Sequence, residues 1–349
     1  MSRASAWLLG CMLLVANLPV RAVIVEDLYA AEVPVASQGS QALDSGAEAA
    51  LAEVLLKVSG SAGLLRNPTI KAALGKARSH VQQYSYRRAE EPDGELTGRF
   101  EFDGDYVTSL VKDAGAPLWT ANRPEVLIWL VVDDDAGRYF VNDDSAPELA
   151  EELLAAFARR GVPARLPLYD LADSAAIDPD QAWRLDGATL AAASQRYGVQ
   201  DILAGRLSAA SESNWAGEWT YLAGEEEMSR SLNTPSREAF LQRGAALVAE
   251  DMAARYAVAT GVGDGSGVDL SVVGVNAYAD YAAIVAWLER LELVEHANLK
   301  RIEGDSMYLH LQTATDAAGL ATVIELNPRL QPLPPVAGEE GGLAYQWLN

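Results

Sequence analysis

The sequence predicts a mixed α+β / α/β protein: an export signal, a small α+β domain, a central α/β domain on a mixed β-sheet, and a C-terminal ferredoxin-like split βαβ domain. Three observations carry this. Residues 126–132 are an unbroken apolar run, entered through Arg123-Pro124-Glu125 and left through Asp133-Asp134-Asp135. A run this short and this rich in Val, Ile and Leu reads as a strand buried on both faces. The segments after it alternate between strand and helix patterns, which favours a parallel core. Residues 260–267, TGVGDGSG, are half glycine with no bulky side chain, and so mark a linker before a compact last unit.

The boundaries that follow are 1–22 for the signal, 23–120 and 121–260 for the first two domains, 261–267 for the linker, 268–333 for the last domain and 334–349 for a tail. A chain of 349 residues, 50% apolar and 22% charged, is long enough for two or three folded domains of roughly 100–150 residues each. The balance of 49 acidic against 27 basic residues gives a net charge of −22, and no Lys/Arg run exceeds two. Such a surface repels phosphate backbones, so nucleic acid is not an expected partner.

Arg3 supplies a positive start, residues 6–18 are apolar apart from Gly10 and Asn17, and Val20 and Ala22 stand where a signal peptidase requires small residues. The run is shorter than the ~20 residues of a membrane-spanning helix, and no other segment approaches that length. Cleavage after Ala22 and a periplasmic location are expected. Leu8-Leu9-Gly10-Cys11 weakly resembles a lipoprotein box, but the apolar run continues past Cys11, which favours soluble export over a lipid anchor. Cleavage removes the only cysteine, so thiol catalysis and cysteine metal sites are excluded from the mature chain.

In chain order, residues 24–36 read as a strand ending at Pro34. Residues 40–58 read as a helix with apolar positions at 3.6 spacing and Gly60 as its cap. Asn67-Pro68 opens a second helix. A hairpin follows, residues 83–88 and 96–102 around a Pro92-Asp93-Gly94 turn, with Tyr84, Tyr86, Phe100 and Phe102 on one face toward the helices. Helix 105–114 closes this β-α-α-β-β-α unit. After the central strand come an acidic loop (133–145), helix 147–160, strand 162–168, a long acidic segment, helix 187–197 and strand 200–207. A hairpin (215–222 with 227–232) precedes the longest helix, 235–258, where Gly244 marks a close approach to the sheet. The last unit reads as strand 268–275, helix 278–291, strands 294–302 and 306–312, helix 316–326 and a strand near 329–333. The tail ends in LAYQWL, which either packs back on the last sheet or adds a strand to a neighbour.

Chemistry is sparse. His80, His296 and His310 have no zinc-ligand spacing, and the glycine-rich linker precedes a strand rather than opening a helix, so no metal and no cofactor is expected. Ser109-Leu110-Val111-Lys112 has a serine–lysine spacing without its K-T-G partner. Asp133, Asp134 and Asp135 sit at a strand C-terminus, where α/β sheets place sites, and with Asp143 and Asp144 could hold a cation; a solvated acidic loop is the plain reading. Trp215 and Trp219, with Tyr221, could form a stacking platform for a sugar or partner strand; core packing under the following helix is the plain reading.

The order of features resembles a known family. AEAALAEVLLKVSG, the LLRNP turn, VQQYSYRR and the DAGAPLWTANRPEVLIWLVVDD junction look like the exported proteobacterial domain-of-unknown-function family two-thousand-sixty-six, over nearly all of the mature chain. YGVQDILAGRL is more loosely similar to the periplasmic α/β domain of the TolB amino terminus and of curli- and flagellar-assembly accessory proteins. The resemblance implies an envelope protein of uncharacterised activity, with no catalytic residues to carry over. The expected function is that of a non-enzymatic accessory or scaffold protein contacting an envelope protein partner. A small-ligand or glycan binding module and a metal-assisted hydrolase at Asp133–Asp135 are the alternatives.

Overall fold

The computed structural model describes residues 22–88, 96–211, 214–261, 265–334 and 342–348. Residues 1–21 of the expected signal, with Cys11, the hairpin turn at Pro92-Asp93-Gly94 and the middle of the glycine-rich linker lie outside the described residues.

The first unit contains β1 (Ala22–Ile24), β2 (Ala30–Pro34), α1 (Ser40–Ser59), α2 (Pro68–Leu74), β3 (Val81–Arg88), β4 (Leu96–Phe102) and α3 (Gly104–Asp113), with an antiparallel sheet in the order β2-β4-β3. The apolar positions of α1 are buried as its spacing predicts, and Gly60 ends it in a left-handed conformation. The single strand expected at 24–36 is two. The chain turns between them, where the Asp27 carbonyl accepts the Ala30 N–H and its carboxylate holds Arg99 at 2.7 Å. β1 therefore leaves the sheet and pairs with β5 (Asn122–Pro124). Phe100 and Phe102 are buried as expected, but Tyr84, on the edge strand β3, is 51% exposed, its ring lying along that of Phe100.

The central unit continues with β6 (Val126–Asp134), β7 (Gly137–Phe140), α4 (Pro147–Arg159), β8 (Ala164–Arg165), α5 (Leu171–Ala176), α6 (Pro179–Ala182), α7 (Gly187–Ser194), β9 (Asp201–Ser211), β10 (Asn214–Ala223), β11 (Glu226–Thr234) and α8 (Arg237–Tyr256). Its sheet runs β11-β10-β9-β6-β7, with β8 also on β6. β6 is its axis. Ile128, Leu130 and Val132 pack beneath α4 and α8, while Leu127, Trp129 and Val131 pack beneath the α5–α7 layer. β9 is parallel to β6, and the remaining long strands are antiparallel. Two expectations need correction. The loop expected at 133–145 contains β7, because Gly137 at φ 103 closes a tight turn back onto β6. The strand expected at 162–168 is only the two-residue β8, since Pro163 and Pro167 have no ladder donor.

The last unit is β12 (Val268–Val273), α9 (Tyr278–Leu288), β13 (Val294–Glu303), β14 (Ser306–Thr313), α10 (Ala317–Ile324), β15 (Leu330–Pro332) and β16 (Leu343–Trp347). Its sheet runs β13-β14-β12-β16-β15, so β14 lies between β12 and β13 in the split βαβ manner. The tail packs back. β16 inserts parallel to β12, displaces β15 to the edge and buries Tyr345 and Trp347.

The parts share a junction. The Trp119 N–H bonds the Val58 carbonyl at 2.7 Å, Leu118 bridges to Val258, and one hydrophobic cluster runs from Leu28 and Val58 through to Leu309 and Trp347. No helix among the described residues is long and apolar enough to cross a membrane.

Candidate functional site

The acidic end of β6 is a hairpin turn. Asp133 pairs with Arg138 at 3.2 Å, and Arg138 also reaches Asp180 at 2.9 Å. Asp134 accepts the Ala136 N–H at 2.8 Å and the Tyr139 hydroxyl at 3.0 Å. Asp135 is exposed on the turn. The carboxylates of Asp133 and Asp134 thus serve their own hairpin, and no group of residues suited to a metal ion occurs among the described residues.

Trp219 is fully buried. Its ring stacks on Phe240 at 4.7 Å, and its indole N–H bonds the Phe240 carbonyl at 3.1 Å. Tyr221 is buried too and bonds Asp201, leaving Trp215 half-exposed at the edge of this packing. No platform forms from the three.

The same end of the sheet carries a feature that sequence reasoning assigned to a strand end and an acidic linker. The chain from β8 to α5 presents Leu168 at 72% and Leu171 at 90% exposure, although its backbone is tied down. Tyr169 between them has φ 52, a costly value for a bulky residue. It is held because the Tyr169 N–H donates to buried Asp173 at 2.8 Å and the Leu168 N–H to the Tyr197 hydroxyl at 2.8 Å. Asp170 caps α5 and receives both Arg196 terminal nitrogens, at 2.5 and 2.8 Å. Arg196 and the backbone N–H groups of Asp173 and Ala172 hold the Asp170 carboxyl well below the usual carboxylate range. Around the leucines the segment 168–186 carries Asp170, Asp173, Asp178, Asp180 and Asp186 against Arg184 alone. No local pattern marked it: Leu171 lies within the Asp170-Leu171-Ala172-Asp173 helix start and Leu168 two residues before it.

A cleft of about 900 Å³ opens between β2 and α4. Ile24, Leu154, Ala158 and Val162 supply apolar wall, Asp27 and Arg99 lie at one side, and Glu53 and Lys57 from α1 line it. Lys57 is only 6% exposed; its ammonium donates to the Ala30 carbonyl at 2.7 Å and stands 3.8 Å from Glu53. Burial pushes the Lys57 ammonium below its ordinary value and the Glu53 carboxyl above its own, each partly offset by the other. Behind the cleft, buried Arg123 donates to the carbonyls of Thr120, Gly161, Lys57 and Trp119 and lies 3.6 Å over the Trp119 ring. Burial lowers the Arg123 guanidinium to about 9, against the pull of Glu292. Lys57 falling on the apolar face of α1, four residues after Glu53, was a legible sign of this site; Arg123 had none beyond its place before a proline.

Residues 22–120 match the family model of a domain of unknown function, DUF8605, which makes this part of the chain similar to an uncharacterised domain family. No curated protein matches the chain. Among solved structures, one titled "Crystal structure of uncharacterized protein" is 11% identical, covering 37% of this chain and 90% of that one, with a TM-score of 0.16, too low to indicate a shared fold.

Proposed function

We propose that the chain is an exported, non-enzymatic accessory protein of the bacterial envelope that acts by docking a protein partner. The periplasmic location rests on the leader and expected cleavage after Ala22, and is in keeping with an acidic, cysteine-free mature chain. The resemblance to the exported family two-thousand-sixty-six, and the looser one to TolB-type and curli- and flagellar-assembly domains, supports the same reading.

The observation that carries it is the braced display of Leu168 and Leu171. Apolar side chains held outward by a buried carboxylate and a capped helix start lose little further freedom on binding, which is what an interface anchor needs. Their acidic surroundings and the net charge of −22 disfavour a second copy and fit a partner with an apolar groove rimmed by Lys or Arg. The alternative of a small-ligand module is favoured by the cleft beside Lys57. The hydrolase reading at Asp133–Asp135 gains nothing from carboxylates already engaged by Arg138, Tyr139 and the turn.

The test is a Leu168→Asp/Leu171→Asp variant, compared with wild type by crosslinking in the native envelope and mass spectrometry. Both side chains are exposed, so the melting temperature should hold while the partner is lost. An unchanged set of crosslinked proteins would remove the docking role from this surface.

A further inference from the structure

We propose that the cleft between β2 and α4 binds an uncharged amide, as presented by an extended peptide segment, independently of the Leu168–Leu171 surface. Lys57 lies inside the cleft with one hydrogen-bond acceptor, the Ala30 carbonyl, and with Glu53 beyond hydrogen-bond distance at 3.8 Å. An ammonium has three donors and a carboxylate about four acceptor positions, so both groups keep unused capacity. A buried polar group with unmet capacity favours any ligand that supplies it. An anion would meet Glu53, and a cation would meet Lys57. A neutral group offering a carbonyl to Lys57 and an N–H to Glu53 satisfies both, and an amide is that group.

The neighbouring strand points to a peptide rather than a lone amide. β2 is an edge strand. The Tyr29 carbonyl and the Val35 N–H bond β4, which fixes the alternation and turns the backbone groups of Ala30, Glu32 and Pro34 away from it. Lys57 occupies the Ala30 carbonyl, the Ala30 N–H is used by Asp27, and Pro34 has no N–H. Glu32 alone keeps both backbone groups turned outward on the cleft side, while Ile24, Leu154 and Val162 provide apolar contact for side chains. One short strand-edge pairing, an amide clasp and an apolar wall are the components of extended-peptide capture.

The test uses the full chain labelled with nitrogen-15 and deuterium, observed by amide chemical shifts. N-acetyl-Ala-Val-Leu-Ala-amide is the neutral probe, with isovalerate and isoamylamine as charged apolar controls. The expected result is saturable shifts with the blocked peptide at residues 23–34, 53–57 and 154–164, at least ten times weaker binding of either control, and loss of the shifts in Glu53→Gln and Lys57→Met. Ala158→Trp, on the exposed outer wall, blocks the cleft without touching the ion pair and should abolish the shifts with the fold intact. Absence of shifts with the blocked peptide, tighter binding of a charged control, or shifts that survive Ala158→Trp would overturn the proposal. None of these outcomes depends on Leu168 or Leu171.

Discussion

The Arg123 guanidinium donates to the Gly161 carbonyl at 2.7 Å, in a space that no other residue at 161 would leave. A Cβ on Gly161 would stand 2.5 Å from an Arg123 nitrogen, and φ +65 there already favours glycine. This contact ties the end of α4 to the strand junction where α1 and β5 also meet. Gly161→Ala should therefore destabilise by about 1–3 kcal/mol through overpacking and backbone strain. Arg123→Met, which strands four carbonyls, should cost about 3–5 kcal/mol. Urea unfolding checks both; a loss under 0.5 kcal/mol, roughly the scatter of surface substitutions, would mean the junction is not fastened here.

Trp219 is seated by two glycines. A Cβ on Gly205 would meet its ring at 2.3 Å, and one on Gly244 at 2.6 Å. Each alanine substitution should cost about 1–3 kcal/mol, even though Gly244→Ala improves helix propensity by about 1 kcal/mol. Pairing either with Trp219→Phe should recover part of the loss, giving a coupling above about 0.5 kcal/mol in a double-mutant cycle. Strictly additive losses would contradict the packing described.

The acidic segment should loosen at low pH. Asp170 is held below its ordinary value, so its contribution is present above the unfolded value of about 4 and is lost as pH falls through the folded one. Hydrogen exchange, corrected for its intrinsic pH dependence, should show the Leu168, Tyr169 and Ala172 amides losing protection in acid before those of β6. Simultaneous loss in both regions would place the brace elsewhere. Arg196→Gln should produce the same local loss at neutral pH.

Much of this architecture could be read from residues. β6 and its burial on both faces followed from residues 126–132, the α1 stripe from its spacing, and the close approach at Gly244 from a glycine in mid-helix. What could not be read depended on partners distant in sequence. β7 needed the turn geometry of Gly137, and the inserted tail needed the position of β15, 11 residues before β16 begins by the strand bounds. The candidate sites were less legible. Asp133 and Asp134 attracted notice as a charge cluster, yet their partners Arg138 and Tyr139 consume them; Leu168 and Leu171 looked like ordinary apolar residues because exposure is not written in a local pattern.

Removal of the tail strand tests the last sheet. A chain ending at residue 341 loses β16, leaving β12 with an unpaired edge and Tyr345 and Trp347 absent from the core. Losing two buried aromatics costs on the order of 3–5 kcal/mol each by truncation precedent, so the last unit should unfold or aggregate while β6 keeps its exchange protection. A truncated chain with native stability would contradict the placement of β16.

The central claim is tested most directly by a photo-crosslinking amino acid placed at position 171 in the tagged protein, expressed in its native envelope. Position 72, exposed on α2, serves as the control. A single discrete adduct from position 171, absent from position 72 and lost on Leu168→Asp, is the predicted result. Only diffuse or identical adducts from the two positions would show that the leucines meet no partner and would contradict the docking role.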